Sequence, residues 1–141
     1  MADRPHQIAL RYLGVPFRHR GRSARGLDCV GLLAVVAQEL GIDVRDQRLY
    51  GREPTGTLLS QVFRDHLGTP KPPGAQLEID DILLLQLRGQ PLMGHAGLVV
   101  PHPYGLGIIH AYAEIGKVVV QRIDKRRRSQ IREVFAWPGK L

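Results

Sequence analysis

The sequence predicts an α+β fold in which N-terminal helices pack on a C-terminal antiparallel sheet. In the first half of the chain apolar residues recur at helical intervals. After the proline-rich stretch 68–74 they fall into short β-prone runs bounded by turn residues. Helices followed by a meander of strands is an α+β order. A length of 141 residues with 43% hydrophobic residues suits one domain, 1–141, around one core, and 23% charged residues argue against wholesale disorder.

Taken in order, Ile8, Leu10, Tyr12 and Leu13 predict a short amphipathic helix over 5–13. Gly14-Val15-Pro16 ends it, because glycine and proline both oppose continuation. A Gly/Arg-rich loop follows over 17–26. From Leu27 onward, Val30, Leu33, Val36, Ala37 and Leu40 keep helical spacing, and Gly41 is placed to end that helix as a left-handed cap. Residues 43–57 are expected to be irregular and to wrap over the core. Leu59, Val62, Phe63 and His66 predict a helix over 58–67, and the three prolines of 68–74 mark a surface connection. The predicted strands are 81–87, 95–100, 107–113, 117–123 and 131–136, with 101–107 forming the turn between the second and third. No internal repeat is visible.

The formal charge of +7 predicts attraction to polyanions such as nucleic acid, anionic membranes or an acidic wall polymer. The basic residues cluster from Arg18 to Arg25 and in Lys125-Arg126-Arg127-Arg128, the second of which reads as a solvated loop or turn. No recognisable DNA-reading element accompanies them, so nucleic acid is not the expected partner. No run reaches the roughly 18 apolar residues of a membrane span. Met-Ala-Asp-Arg-Pro-His lacks the features of a secretory signal, so synthesis in the cytoplasm is expected. A single cysteine rules out an internal disulfide and suits a reducing compartment.

That cysteine carries the functional reading. Cys29 stands in Gly26-Leu27-Asp28-Cys29-Val30-Gly31-Leu32-Leu33, a loop leading into the first turn of an apolar helix. Positive potential at a helix N-terminus and a nearby histidine both favour a thiolate. Asp28 is placed to cap the helix or hold a substrate amino group, and the Cys29 N–H to serve an oxyanion hole. His95, in Gly94-His95-Ala96-Gly97, and His110, in Ile108-Ile109-His110-Ala111-Tyr112, fall at strand positions. Ala96 and Gly97 would leave room for a substrate or helix. If His95 pairs with an even-numbered residue such as Tyr112, both imidazoles share a face, with β-carbons roughly 7–8 Å apart. His110 would then orient His95 toward Cys29, giving a nucleophile, a base and an orienting group. Zinc is the rival use of one cysteine and two histidines. The set lacks the closely spaced ligand pairs of structural zinc sites, so neither a metal nor another cofactor is expected. His6, His66 and His102 read as surface or local-contact residues, as does His19 on residue type alone.

Leu13-Gly14-Val15-Pro16-Phe17-Arg18-His19 and Gly26-Leu27-Asp28-Cys29-Val30-Gly31-Leu32 resemble the front half of NlpC-like cell-wall peptidases. Residues 77–85, Gly94-His95-Ala96-Gly97 and Ile108-Ile109-His110-Ala111 resemble the back half, in the right order. Phe-Arg-His in the first loop, valine after the cysteine and a compact chain are most similar to the branch found in phage-tail proteins and gene-transfer particles. The resemblance implies a papain-like fold and hydrolysis of amide bonds in peptidoglycan stem peptides. It makes Cys29 the nucleophile, His95 the base and later acid, and His110 the third polar residue. It implies as partners peptidoglycan peptides and phage-tail or gene-transfer-particle proteins, with action in the periplasm or wall after delivery or lysis.

The sequence also departs from the family. Val30 replaces a serine that helps bind the substrate's amino end, and Phe17 replaces a tyrosine, leaving His19 as a substitute donor beside Asp28 and Arg22 in substrate binding. Asp80-Asp81 stands where Gly-Asp usually opens the first core strand. Arg20, Arg22 and Arg25 either line the cleft for substrate carboxylates or form a solvated basic loop. Two rival functions use the same fold. One is a non-catalytic tail-tip or wall-binding subunit, the other a thiol acyltransferase or amidase with a non-wall substrate.

Overall fold

The computed structural model describes residues 3–42, 56–89 and 94–138. Its elements run α1 (Pro5–Leu10), β1 (Arg22–Ser23), β2 (Gly26–Leu27), α2 (Cys29–Glu39), α3 (Gly56–Leu67), β3 (Ile82–Leu85), β4 (His95–His102), β5 (Gly105–Tyr112), β6 (Lys117–Arg122), α4 (Lys125–Gln130) and β7 (Ile131–Phe135). The α+β order predicted from the sequence is present: helices first, then a five-stranded antiparallel sheet in the order β6-β5-β4-β3-β7. β4, β5 and β6 form successive hairpins, and α4 carries the chain across to β7 at the other edge.

Alternation along the strands sorts the core into two faces. Leu84, Ala96, Leu98, Val100, Ile109, Ala111 and Phe135 cluster with Leu32, Leu33 and Val36 of α2 and with Ile8 and Ala9 of α1. Leu83, Leu85, Val99 and Ile108 form the second cluster with Leu77 and Ile123. Burial on both faces explains why Ile82-Leu83-Leu84-Leu85 is an unbroken apolar run. Helix α3 is fixed on β7 by a T-shaped Phe63–Phe135 contact with ring centroids 5.6 Å apart, and by Ser60 and Arg64 donating to Glu133.

Several boundaries differ from the sequence expectation. Helix α1 stops at Leu10, because Gly14 turns at φ 86° and its N–H is taken by Val118 of β6. The loop expected over 17–26 contains the small ribbon β1–β2, in which Arg22 pairs with Leu27. The β4–β5 turn is tighter than expected, with Gly105 at φ 122° allowing the strands to continue to His102 and from Gly105. The basic run at 125–128 is helix, not loop: the Asp124 carboxylate caps it by accepting from Arg127 N–H at 2.8 Å. The expectation for residues 43–57 falls mostly outside the described residues. Its end does not hold, since α3 has begun by Gly56.

Asp80 shows how the departure at 80–81 is accommodated. It adopts φ 81°, a left-handed conformation natural to glycine. Its carboxylate accepts from the His6 N–H at 2.8 Å, contacts His6 Nδ1 at 2.7 Å and pairs with Arg4, while Trp137 Nε1 donates to its carbonyl at 2.8 Å. His6 is therefore a buried structural contact.

Candidate active site

The site is built where the start of α2 meets the start of β4. Asp28 is extended and caps α2, its Oδ1 accepting from Gly31 N–H at 2.7 Å. The same oxygen accepts from Arg22 Nη1 at 3.0 Å, and Oδ2 accepts from Arg20 N–H at 2.9 Å. Arg22 Nη1 also donates to the Gly21 carbonyl at 2.9 Å. Side-chain exposures of 6% for Arg22 and 5% for Asp28 make this a buried ion pair. Arg20 holds its end of the arrangement at φ 63°, a strained value for a residue with a side chain. The loop can come this close only because residue 31 is glycine: a β-carbon there would stand 2.0 Å from the Gly21 oxygen.

Cys29 is the first helical residue after that cap, and its thiol is buried. Burial pushes its pKa up to about 12, and the Asp28 charge adds to the rise. Backbone N–H groups of Ala96 and Val30, together with the Arg22 guanidinium, pull the other way. The Ala96 contact places the thiol against the first residues of β4, next to His95.

The two imidazoles meet as the alternation requires. The β4–β5 register pairs Leu98 with Ile109. Continuing it sets His95 opposite Tyr112 and diagonal to His110. His95 Nε2 lies 2.6 Å from His110 Nδ1, and His110 Nε2 lies 2.9 Å from Gln121 Oε1 on β6. Burial, the neighbouring His110 and Arg127 together push His95 well below the ordinary value of 6.5. Burial lowers His110 to about 4; its contact with Gln121 opposes the shift and Arg127 adds to it. Tyr112 lies against the pair, its ring stacked on His110 with centroids 5.0 Å apart and tilted by 48° to His95 at 5.6 Å.

The remaining predicted residues distribute differently. Gly97 opens space for the protein's own Ile108, whose Cδ1 would stand 2.5 Å from a β-carbon there, so the room expected for a substrate is already filled. Phe17 packs against the helix-side core, with its N–H bonded to Gly116. His19 is half-buried, while Arg20 and Arg25 have exposed side chains. His66 contacts the Val62 carbonyl at 2.9 Å, and His102 accepts from the Tyr104 N–H at 3.1 Å, both local contacts. Sequence reasoning missed Gln121 and Arg127. Arg127 Nη2 donates to Gln121 Oε1 at 2.7 Å, and its guanidinium lies 5.6 Å from the Tyr112 ring centroid. The available signal was a glutamine directly after Val118-Val119-Val120, on the strand paired with that of His110.

No family model and no curated protein matches the sequence. Solved structures do match. An NlpC/P60 family protein from Bacillus cereus superposes with a TM-score of 0.69 at 16% identity, covering 99% of this chain and 42% of that one. The NlpC/p60 domain of the peptidoglycan hydrolase SagA gives 0.59 at 20% identity, covering 94% of this chain and 95% of that domain. This is the NlpC/P60 fold. An N-acetylmuramoyl-L-alanine amidase from Bacteroides uniformis shares it, with a TM-score of 0.55 at 15% identity over 93% of this chain and 95% of that one. Since the chain spans 42% of the Bacillus cereus protein, the likeness there concerns part of a larger molecule. Within the NlpC/P60 fold, helix α2 carries Cys29, and neighbouring sheet strands carry His95, His110 and Gln121.

Proposed function

We propose that this chain is a cysteine-dependent hydrolase of amide bonds in peptidoglycan stem peptides. The observations that carry the reading are the Cys29 thiol at the first turn of α2, held against the N–H of Ala96, the residue after His95, and the hydrogen bond that joins His95 to His110. The substrate class is supported by two proteins of the same fold, named as a peptidoglycan hydrolase and an N-acetylmuramoyl-L-alanine amidase. A charge of +7 suits approach to an anionic wall.

In this mechanism His95 Nδ1 takes the thiol proton as Sγ bonds to the scissile carbonyl carbon. The Cys29 N–H, which has no intrahelical acceptor at the first helical position, stabilises the oxyanion. The C–N bond then breaks, and His95 returns the proton to the leaving amine. Water attacks the thioester, giving its proton to His95, and the carboxylic acid departs as the thiol is re-formed. Asp28 and Arg22, buried against each other, hold the helix start and loop in place and leave half-buried His19 as the residue proposed to meet the substrate's amino end. The resemblance to phage-tail and gene-transfer-particle proteins extends the proposal to a particle-borne enzyme acting at the wall after delivery or lysis.

Digestion of purified peptidoglycan by the wild type and by Cys29→Ala, with mass spectrometry of the products, tests the proposal. New stem-peptide fragments from the wild type alone support it. Identical product profiles from both proteins reject it.

A further inference from the structure

We propose that Arg127, acting through Gln121, is a positioning residue that fixes the proton sites of the His110–His95 pair and leaves Nδ1 of His95 as the nitrogen bearing the lone pair. The inference rests on the reading of His95 as the base and deepens it.

The argument follows donors and acceptors along one chain of contacts. A guanidinium can only donate hydrogen bonds. Arg127 Nη2 lies 2.7 Å from the Gln121 side chain, so the atom facing it must be the amide oxygen. That oxygen also lies 2.9 Å from His110 Nε2, which must therefore carry a proton. A neutral imidazole has one N–H, so His110 Nδ1 is an acceptor. His95 Nε2, 2.6 Å away, must donate to it. One proton remains for His95 and it sits on Nε2, so Nδ1 holds the lone pair.

Reversing the Gln121 amide would invert every link. Its NH2 would donate to His110 Nε2, both imidazoles would carry their protons on Nδ1, and His95 would present an N–H in place of a base. The two arrangements of Gln121, His110 and His95 have the same number of hydrogen bonds. Arg127 separates them, because the reversed amide turns its NH2 toward a cation and loses a charge-assisted bond.

Arg127 is itself held in place. Its N–H donates to the Asp124 cap at 2.8 Å, Nη1 donates to Gln130 Oε1 at 2.9 Å, and its guanidinium rests by the Tyr112 ring that stacks on His110. Its neighbours Arg126 and Arg128 are exposed, whereas Arg127 is half-buried. One arginine of the basic run has thus been drawn into the site.

Nitrogen NMR of histidine-labelled protein at pH 8.5 reads the tautomers directly. The wild type is expected to show Nε2–H on both His95 and His110. Arg127→Met should give a mixture of Nε2–H and Nδ1–H forms on both rings and lower kcat about twofold with little change in KM. Adding Gln121→Glu to Arg127→Met should restore Nε2–H, since a carboxylate has no NH2 to turn toward His110. A merely structural role for Arg127 would not be rescued in that way. Nδ1–H in the wild type, or Nε2–H unchanged in Arg127→Met, overturns the proposal. The spectra need no substrate, so absence of peptidoglycan cleavage by the wild type would count against the hydrolase reading alone.

Discussion

His95 and His110 are joined ring to ring across adjacent strands, Nε2 to Nδ1 at 2.6 Å, and both are buried. Burial lowers the pKa of each imidazole, and the same burial raises that of the Cys29 thiol. The free protein therefore holds thiol and imidazoles in their neutral forms at pH 7. The thiolate forms as the proton moves to His95 during attack, with the Ala96 and Val30 N–H groups ready to stabilise it.

The first consequence concerns reactivity. A thiol pushed to about 12 from an ordinary 9.0 has far less thiolate at pH 8 than an unfolded cysteine. Iodoacetamide should label native Cys29 at least roughly tenfold more slowly than the urea-unfolded chain at that pH. Equal rates would show an ionised thiol in the resting site.

Acid should lower both activity and stability below pH 6.5. His95 must be unprotonated to accept the thiol proton, and its pKa lies well below 6.5. The acid limb of kcat/KM is thus expected below 6.5, and a limb centred at or above it contradicts the account. For stability, His110 falls from 6.5 when unfolded to about 4 when folded. Between those values the unfolded chain binds the extra proton, so this contribution is intact above 6.5 and is lost as pH falls toward 4. Urea titrations across that window should show the decline, and a flat profile would refute it.

The buried Arg22–Asp28 pair makes a stability prediction. Arg22→Met leaves the Asp28 carboxylate buried without its cation, at a cost of about 3 kcal/mol. Urea unfolding measures this, and a loss below about 1 kcal/mol would place the pair among weak surface bridges.

Much of this architecture was legible because burial writes periodicity. Val30, Leu33, Val36 and Ala37 marked α2, and the all-apolar 82–85 marked a strand covered on both faces. The His95–His110 contact followed from period-two alternation once a register was assumed. The six residues of α4 have no apolar stripe and are held by a side-chain cap, so nothing periodic announced them. Arg127 and Gln121 were hidden for a related reason, since their partners lie on neighbouring elements and not at any fixed sequence spacing. The left-handed turn at Asp80 depends on His6 and Arg4, more than 70 residues away, and could not be read locally.

Gly97 tests how tightly the strand beneath the site is packed. A β-carbon there would stand 2.5 Å from Ile108 Cδ1 and 3.1 Å from the Ile109 carbonyl, so both a side chain and the neighbouring backbone must yield. Gly97→Ala should cost about 1–3 kcal/mol of unfolding free energy. Activity should fall with it, because residue 97 lies between His95 and the rest of β4. An unchanged denaturation midpoint would show that Ile108 has space to move.

The most direct test of the central claim is digestion of peptidoglycan in ¹⁸O-labelled water, with mass spectrometry of each new carboxyl terminus. Thioester hydrolysis by Cys29 predicts one ¹⁸O atom in every newly formed carboxyl group with the wild type, and no new termini with Cys29→Ala. Products without the label would mean that the acyl group passes to an acceptor other than water, and labelled products from Cys29→Ala would remove the thiol from the reaction.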